Sequence, residues 1–222
     1  MQGKLIAIEG LDGSGKATQS LGLCQELQAL GYKVRRITFP DYDSPASAPV
    51  KLYLAGKYGE KPGDVSAYAA SSFYAVDRFS SYKTNWGQFY REGGIIIADR
   101  YTTSNAIHQC AKLPREQWED YLRWLFDFEY SKLGIPEPDG VIYLKVDPLV
   151  SQKLMSGRYG NDESKKDIHE RDLVYMHHSQ QAANYCAETL GWKQVECCHQ
   201  GEMRSIAEIK IDVMRATKEI LC

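Results

Sequence analysis

The sequence lacks a long hydrophobic run. No apolar stretch approaches the length that crosses a bilayer. The first one, Leu5–Ile8, is too short for a signal peptide and is followed by Glu9. The six cysteines include no Cys-x-x-Cys pair, and the adjacent Cys197 and Cys198 are poorly placed to bond each other. Reduced thiols are typical of the cytosol, so we expect a cytoplasmic protein without membrane attachment.

A surplus of positive charge is also missing. Lys and Arg total 27 and Asp and Glu total 29, which gives a formal net charge of −2. General nucleic-acid binders usually carry a basic surplus, so we expect no nucleic-acid partner. A balanced chain can still concentrate a few cations around a small anion.

What is present is the composition of an ordinary globular protein. The chain has 222 residues, of which 43 % are hydrophobic and 25 % are charged. A domain of this length buries about 70–75 % of its unfolded surface and needs no disulfide or metal for stability. We expect one domain over residues 1–222.

Short apolar runs alternate with long segments of helical periodicity. This alternation, and runs such as Ile95–Ala98 that are apolar on both faces, predict an α/β fold. Its core would be a five-stranded parallel sheet with helices on both faces. The predicted strands are 5–9, 33–39, 94–99, 141–146 and 192–197. The predicted helices are 16–30, 64–91, 114–133, 167–190 and 205–221, with another opening at Pro148.

The strongest motif lies between the first predicted strand and helix. It has the Gly-x-x-x-x-Gly-Lys spacing of a phosphate-binding loop, over residues 10–18. Its glycines let successive N–H groups curl around a phosphate, and its lysine reaches the outer phosphates. The predicted nucleotide-binding residues are Gly10, Asp12, Gly13, Ser14, Gly15, Lys16, Ala17 and Thr18.

One position departs from this motif. The residue after the lysine is normally Ser or Thr, whose hydroxyl ligates Mg²⁺, but here it is Ala17. Thr18 points about 100° further round the helix and cannot simply replace it. Phosphate binding should survive, whereas metal ligation by the loop is in doubt.

A second motif follows the third predicted strand. It begins with Asp99-Arg100-Tyr101. Ligands of open α/β sheets bind beyond the carboxyl ends of the strands, so Asp99 and Arg100 should face the phosphate loop.

Together these motifs resemble the thymidylate kinase (dTMP kinase) family of P-loop nucleoside monophosphate kinases. The resemblance covers nearly the whole chain. It includes the loop aspartate Asp12, Phe39-Pro40, the helical stretch Tyr74–Arg78, Asp99-Arg100-Tyr101 with Ser104, and Pro138-Asp139. It implies the P-loop NTPase fold with a mobile lid at about residues 156–167. It also implies transfer of the γ-phosphoryl group of ATP to dTMP, giving dTDP and ADP.

The resemblance also implies roles for individual residues. The catalytic group would comprise Lys16, Arg100, Asp99 as a Mg²⁺ ligand, and Arg158 in the lid. The residues that would bind dTMP are Asp12, Phe39, Pro40, Tyr74, Arg78, Arg100, Ser104, Asn105, Gln109 and Tyr159. Tyr74 would stack on thymine, with Phe73 as the alternative if the register is off by one.

Two further departures concern the acceptor. Asp41-Tyr42 occupies the place where many members have a phosphate-binding arginine, and Lys51 is the candidate replacement. His108 stands where many members have an aromatic residue near the sugar. Another nucleoside monophosphate therefore stays open as the acceptor.

Other interpretations also stay open. Ala17 alone motivates a nucleotide-binding regulator with weak catalysis. A guanine-nucleotide switch is disfavoured because no Asn-Lys-x-Asp motif occurs. The resemblance further implies a homodimer, formed through helices such as the Tyr- and Ala-rich segment 68–90.

Overall fold

The main sheet has five parallel strands. The computed structural model describes residues 3–147, 150, 151, 154, 168, 169 and 172–222. The strands run in the order β2-β3-β1-β4-β5, which places β1 at the centre. Their bounds are β1 Lys4–Glu9, β2 Val34–Thr38, β3 Ile95–Asp99, β4 Gly140–Lys145 and β5 Lys193–Glu196. The predicted parallel sheet is confirmed.

Helices cover both faces of this sheet. They are α1 Lys16–Ala29, α2 Ala48–Leu54, α3 Ala67–Ser81, α4 Gly87–Arg91, α5 Thr102–Cys110, α6 Trp118–Phe126, α7 Leu173–Thr189 and α8 Ile206–Leu221. Alternate residues of β1 point to opposite faces. Leu5 and Ala7 pack in the core under α5, α6 and α7, while Ile6 and Ile8 pack in the core under α1 and α8. Burial on both faces explains why these strands are uniformly apolar.

Two of the predicted long helices are divided in the structure. The segment 64–91 contains α3, a π-helical turn at Tyr82–Trp86, and α4. The segment 114–133 contains a 3₁₀ turn at Arg115–Gln117, α6, and a π-helical turn at Asp127–Lys132. These wider turns change which side chains point inward. They bury Trp86 and Glu129 completely.

Three elements were not predicted. Helices α2 and α5 lie outside the predicted helices, and a small antiparallel hairpin follows β5, with strands β6 Cys198–His199 and β7 Glu202–Met203. The hairpin turns at Gln200 and Gly201, which both have positive φ. Two-residue strands are too short to produce a periodic pattern. The sequence between β5 and α8 therefore indicates only a turn.

Among the described residues, no helix has the length and apolar character needed to cross a membrane. The predicted lid at 156–167 lies outside the described residues, as does Pro148 at the start of the preceding predicted helix. Of the predicted helix 167–190, the structure describes α7, which begins after Asp172; the Asp172 carboxylate accepts the N–H of Tyr175 at 2.9 Å.

Candidate active site

The candidate site lies where β1 and β3 end. The two strands are neighbours, with Ile8 opposite Asp99, so their carboxyl ends deliver the loop 10–15 and Arg100 to the same edge of the sheet. This is the edge at which ligands bind in open parallel sheets. The two motifs found in the sequence therefore meet in space.

The loop between β1 and α1 has the conformation that its glycines permit. Gly13 and Gly15 have φ of 79° and 85°, the left-handed region that favours glycine. Gly15 directly precedes Lys16, the first residue of α1. Ser14 and Lys16 are buried, whereas Ala17 and Thr18 are exposed on the first helical turn. The N-terminal end of α1 thus opens into a loop shaped for an anion.

Lys16 folds back over this loop. Its Nζ donates to the carbonyl of Leu11 at 2.7 Å and to Ser14 Oγ at 3.4 Å. Burial and, after it, the charge of Arg100 lower the pKa of Lys16 to about 8, against the opposing effects of Asp12 and Asp99. Both of these acceptors are neutral, so a phosphate would be a stronger partner for Lys16 than either.

Arg100 lies at the centre of the site. Its φ is 68°, a strained value for a residue other than glycine. Its guanidinium donates to Asp12 Oδ1 at 2.5 Å, to His108 Nε2 at 3.2 Å and to Ser104 Oγ at 3.4 Å. Burial alone would raise the pKa of Asp12, but Arg100 and Lys16 outweigh it and hold that pKa well below its ordinary value. One cation therefore connects the phosphate loop with α5.

Glu9 was missed by the sequence analysis as a site residue. It is fully buried at the end of β1 and accepts three hydrogen bonds, from Tyr101 N, Thr103 Oγ1 and Ser104 Oγ. Burial raises the pKa of Glu9, and Arg100 opposes the shift. Glu9 thus fixes the start of α5 against the phosphate loop. It also accepts a hydrogen bond from Ser104, which the resemblance places among the residues that bind dTMP.

Asp99 has a partner that the sequence did not indicate. Arg36 of β2 donates to Asp99 Oδ2 at 2.7 Å and to Ser20 Oγ of α1 at 2.8 Å. Oδ1 is then the oxygen that Asp99 can offer to a cation. Among the described residues, no three His, Cys, Asp or Glu side chains are grouped to hold a metal ion. This donor set fits Mg²⁺ only where phosphates and water supply most of the ligands, as is usual for that ion.

The side of the site formed by α3, α5 and the π-helical turn at 127–132 is buried. Arg78 is 1 % exposed and donates from Nε and Nη2 to Glu129, which is fully buried, at 2.7 and 2.5 Å. Asn105 Nδ2 donates to the same carboxylate at 3.3 Å. Arg78 and Asn105, both predicted to bind dTMP, are thus brought together. Glu129 was missed because no local pattern marks a single acid inside an amphipathic segment.

The two aromatic candidates for stacking, Phe73 and Tyr74, are both half-buried and share one neighbour. Phe73 packs on Tyr53 and Tyr58, with ring centroids 6.3 and 5.4 Å apart. Tyr74 also packs on Tyr53, with ring centroids 6.5 Å apart. Tyr74 therefore stays the predicted stacking residue, with Phe73 as the alternative.

Three other predicted substrate residues lie near or within the core. Phe39 is 3 % exposed and packs on Tyr101, and Pro40 follows it through a cis peptide bond. Gln109 is fully buried, one helical turn after Asn105. Within the described residues, neither of its amide atoms has a hydrogen-bond partner. The candidate replacement Lys51 donates to the carbonyl of Tyr42 at 2.7 Å.

A histidine pair lies beside Arg100. His108 stacks on His169 with ring centroids 5.9 Å apart, and His169 is hydrogen-bonded to the Tyr53 hydroxyl at 2.8 Å. Burial, and then Arg100, lowers the pKa of His108 to about 3. His108 is therefore neutral, and its Nε2 can accept from Arg100. His169 is buried and extends the site. Arg158 and Tyr159 lie outside the described residues.

The hairpin β6–β7 closes the other side of the phosphate loop. The terminal methyl group of Met203 lies 3.9 Å from the place where a Cβ on Gly15 would be. A cavity of about 580 Å³ opens between the hairpin and the start of α8, lined by residues including Glu196, Cys198, Glu202 and Arg204. Met203 also lines this cavity, which therefore adjoins the loop at Gly15.

Comparison with known proteins agrees with this geometry. The sequence model of the family described as thymidylate kinase matches residues 8–200. Thymidylate kinase of Mycobacterium tuberculosis is 33 % identical over 170 residues, which cover 76 % of this chain and 78 % of the relative. Human thymidylate kinase is 25 % identical over 98 % of this chain and 94 % of its own length.

A solved structure of thymidylate kinase from Candida albicans superposes with a TM-score of 0.69 at 20 % identity, and covers 98 % of this chain and 92 % of its own. At that identity the likeness shows the fold alone. The five-stranded order, the loop around Lys16 and the family match over residues 8–200 agree with one another. The chain belongs to the thymidylate kinase family.

Proposed function

We propose that this protein transfers the γ-phosphoryl group of ATP to dTMP, giving dTDP and ADP. The observation that supports it best is the position of Arg100. Its guanidinium contacts Asp12 in the phosphate loop and Ser104 and His108 on α5. A cation at this junction can neutralise both the donor phosphates and the phosphate of the acceptor.

The reaction needs positioning more than acid–base chemistry. The nucleophile is an oxygen of the dTMP phosphate, which is largely ionised at neutral pH, so no hydroxyl proton must be removed. The task is to bring two polyanions together. Lys16 would hold the outer phosphates of ATP, and Arg100 would hold the phosphate of dTMP. Arg158 of the lid would add a third positive charge near the transferred phosphoryl group. Bound Mg²⁺ would neutralise phosphate charge, with Asp99 as its protein ligand.

Arg78 and Asn105 support a pyrimidine acceptor. Asn105 Nδ2 faces two acceptors, Glu129 Oε1 and the carbonyl of Ser71, both at 3.3 Å. Its amide oxygen therefore points the other way, as an acceptor. An N–H donor on Arg78 beside this oxygen matches the carbonyl and the N3–H of thymine. Tyr74 would stack on the ring.

The hairpin cavity supports the other half of the reaction. It adjoins Gly15 through Met203, and Gln19 of α1 donates to the carbonyl of Ile206 at 3.1 Å, which ties the loop helix to the start of α8. A nucleotide whose phosphates lie in the loop could place its base here. We assign this cavity to adenine.

An acceptor panel tests the proposed activity. ADP formation is measured from ATP and Mg²⁺ with dTMP, dUMP, UMP, CMP, AMP or GMP. Fast turnover with dTMP alone is the expected result. Turnover with a different acceptor would show that dTMP is not the substrate. Binding of nucleotides without turnover would instead support a nucleotide-binding regulator.

We also propose a homodimer. On α3, Tyr68 and Val76 are 43 % and 52 % exposed, and Trp124 packs on Tyr68 and stacks on Phe128 at the adjoining surface. An apolar surface of this kind suits a two-fold contact. Light scattering coupled to gel filtration should give twice the mass of the 25.2 kDa chain, and a Val76→Glu variant should give the monomer.

The remaining proposals concern organisation and location. We propose that residues 1–222 act as one domain, because β5, α8 and the hairpin from the C-terminal part of the chain complete the sheet and the loop at its centre. We propose a cytoplasmic location. All six cysteines are free thiols, which suits a reducing compartment.

A further inference from the structure

Glu129 is a fully buried carboxylate that accepts four hydrogen bonds. Two come from Arg78, one from Thr102 Oγ1 at 2.8 Å and one from Asn105 Nδ2 at 3.3 Å. The donors belong to α3 and α5, whereas Glu129 lies in the π-helical turn at 127–132. One side chain thus orients groups on two helices at once.

Stability alone does not require this arrangement. Removing two charges from water is costly, and buried ion pairs can often be replaced by apolar side chains without loss of stability. The surroundings supply many apolar neighbours, since Tyr101, Tyr121 and Leu125 are all fully buried. The value of the carboxylate therefore lies in what it orients.

The carboxylate determines how Arg78 is presented. Its two oxygens engage Nε and one N–H of Nη2, which fixes the plane of the guanidinium. Nη1 donates to the carbonyl of Tyr101 at 3.4 Å. Arg has five N–H donors in a rigid fork, so Arg78 keeps donors on the edge that faces away from Glu129. Because the fork is rigid, the ion pair with Glu129 also determines the direction of these remaining donors.

The same carboxylate determines how Asn105 is presented. An ionised carboxylate only accepts, and the other neighbour, the carbonyl of Ser71, only accepts too. The amide must therefore turn its NH₂ group toward them and its oxygen away. If Glu129 became an amide, its own NH₂ would face one of these donors and the constraint on Asn105 would weaken.

We propose that Glu129 is a positioning residue that sets the hydrogen-bond pattern of the acceptor-base subsite, one donor from Arg78 beside one acceptor from Asn105. This pattern selects a base edge with a carbonyl next to an N–H, as in thymine and uracil. It rejects the cytosine edge, which presents an amine next to an unprotonated nitrogen. The proposal rests on the proposed function, in which Arg78 and Asn105 hold the base.

The test compares Glu129→Gln with wild type in steady-state kinetics for dTMP, dCMP and ATP. Loss of one charge-assisted contact typically corresponds to a change of about tenfold to a hundredfold. We expect KM for dTMP to rise and the preference for dTMP over dCMP in kcat/KM to fall by about that factor. The kcat with saturating dTMP and the KM for ATP should stay near wild type. Unchanged KM and unchanged preference in the folded variant would overturn the proposal.

Two further variants separate positioning from stability. Thr102→Val removes one hydrogen bond to Glu129 without touching Arg78 or Asn105. It should lower the melting temperature but leave KM for dTMP unchanged. Glu129→Asp keeps the charge, so it remains informative if Glu129→Gln does not fold. Its shorter reach should raise KM for dTMP several-fold, and a wild-type KM would contradict the proposal.

The variants Arg78→Met and Asn105→Ala separate a failure of the base subsite from a failure of the role proposed for Glu129. If neither changes KM for dTMP, the base subsite itself is wrong and the proposed function loses its acceptor assignment. If both raise KM and Glu129→Gln does not, the subsite stands and only the role of Glu129 fails.

Discussion

Two arginine–carboxylate pairs occupy opposite sides of the site. The pair of Arg100 and Asp12 lies at the phosphate loop, with side-chain exposures of 17 % and 32 %. The pair of Arg78 and Glu129 lies under α3 and α5, with exposures of 1 % and 0 %. Both pairs have contacts of 2.5 Å between their charged atoms. Both join a guanidinium to a carboxylate, but Arg78 donates two hydrogen bonds to Glu129, Arg100 donates one to Asp12, and their surroundings differ.

The surroundings determine what each pair can do. Asp12 and Arg100 remain within reach of an incoming phosphate, so Arg100 can exchange one anion for another during the reaction. Glu129 is closed off and is also engaged by Thr102 and Asn105. The first pair is suited to turnover and the second to holding a fixed recognition surface.

The largest effect should come from removing a cation at the phosphate loop. Lys16→Ala and Arg100→Ala should each lower kcat at least a hundredfold, because loss of one charge that stabilises a transition state typically costs about 10²–10⁴ in rate. The measurement is steady-state turnover with ATP and dTMP. Arg123→Ala is the control, since Arg123 is 68 % exposed in a surface pair with Glu119 and should keep wild-type turnover.

Near-normal turnover of either loop variant would remove its residue from the catalytic group. Circular dichroism and the melting temperature should stay close to wild type for Arg100→Ala, because the Asp12 pair is partly open to solvent. A large loss of stability would contradict the division drawn above.

The next effect concerns folding stability at the closed pair. Glu129→Leu should lower the free energy of unfolding by about 3–5 kcal/mol, since it leaves the Arg78 charge buried without its partner. Asp12→Asn should cost about 1 kcal/mol or less. Urea unfolding measures both. The double variant Arg78→Met, Glu129→Leu should recover much of the loss, and a double variant as unstable as the sum of the singles would argue against a coupled pair.

The sheet and the long helices of this fold could be predicted from the sequence because the strands are apolar on both faces and the helices are periodic. The shorter helices α2 and α5 and the hairpin β6–β7 were not predicted. Residues of the phosphate loop could be predicted because glycine spacing and Lys16 are local to one turn. The roles of Glu9 and Glu129 could not be predicted, because each contacts residues that are distant in sequence. Glu9 contacts Thr103 and Ser104, and Glu129 contacts Arg78.

The π-helical turns explain a second kind of miss. The segment 114–133 has a helical pattern, but the wider turn at 127–132 determines that Glu129 points into the core. A periodicity of 3.6 contains no information on such a turn. Similarly, Arg36 is one of two adjacent arginines on an edge strand, and only the register of β2 with β3 shows that it reaches Asp99.

A smaller effect should appear in the pH dependence at the open side. Because burial lowers the pKa of Lys16 to about 8, the free enzyme loses this charge as the pH rises through that value. The kcat/KM for ATP should fall about fivefold between pH 8 and pH 9, following the protonated fraction. Lys16→Arg should have lower activity but a flatter profile.

The lowered pKa of Lys16 also determines how the free energy of unfolding should change with pH. The pKa of Lys16 in the folded protein lies below its ordinary value of 10.5, so the folded state binds fewer protons between about pH 8 and pH 10 than the unfolded state. The contribution of Lys16 to stability should therefore rise with pH across this window. The difference in unfolding free energy between wild type and Lys16→Met measures it, and a contribution that falls with pH would contradict the assigned shift.

The smallest effect should come from Ala17, the departure inside the phosphate loop. Ala17 is exposed on the first turn of α1, so Ala17→Ser adds a hydroxyl where the usual motif has a metal ligand, with little change in packing. The apparent Mg²⁺ affinity, measured by calorimetric titration in the presence of ADP, should strengthen or stay unchanged. Ala29→Ser, which adds the same hydroxyl at the exposed far end of α1, is the control and should have no effect. If Ala17→Ser clearly weakened Mg²⁺ binding, the loop would have adapted to a metal geometry in which a hydroxyl at this position interferes. The pair of Arg36 and Asp99 would then be the place to look for that adaptation.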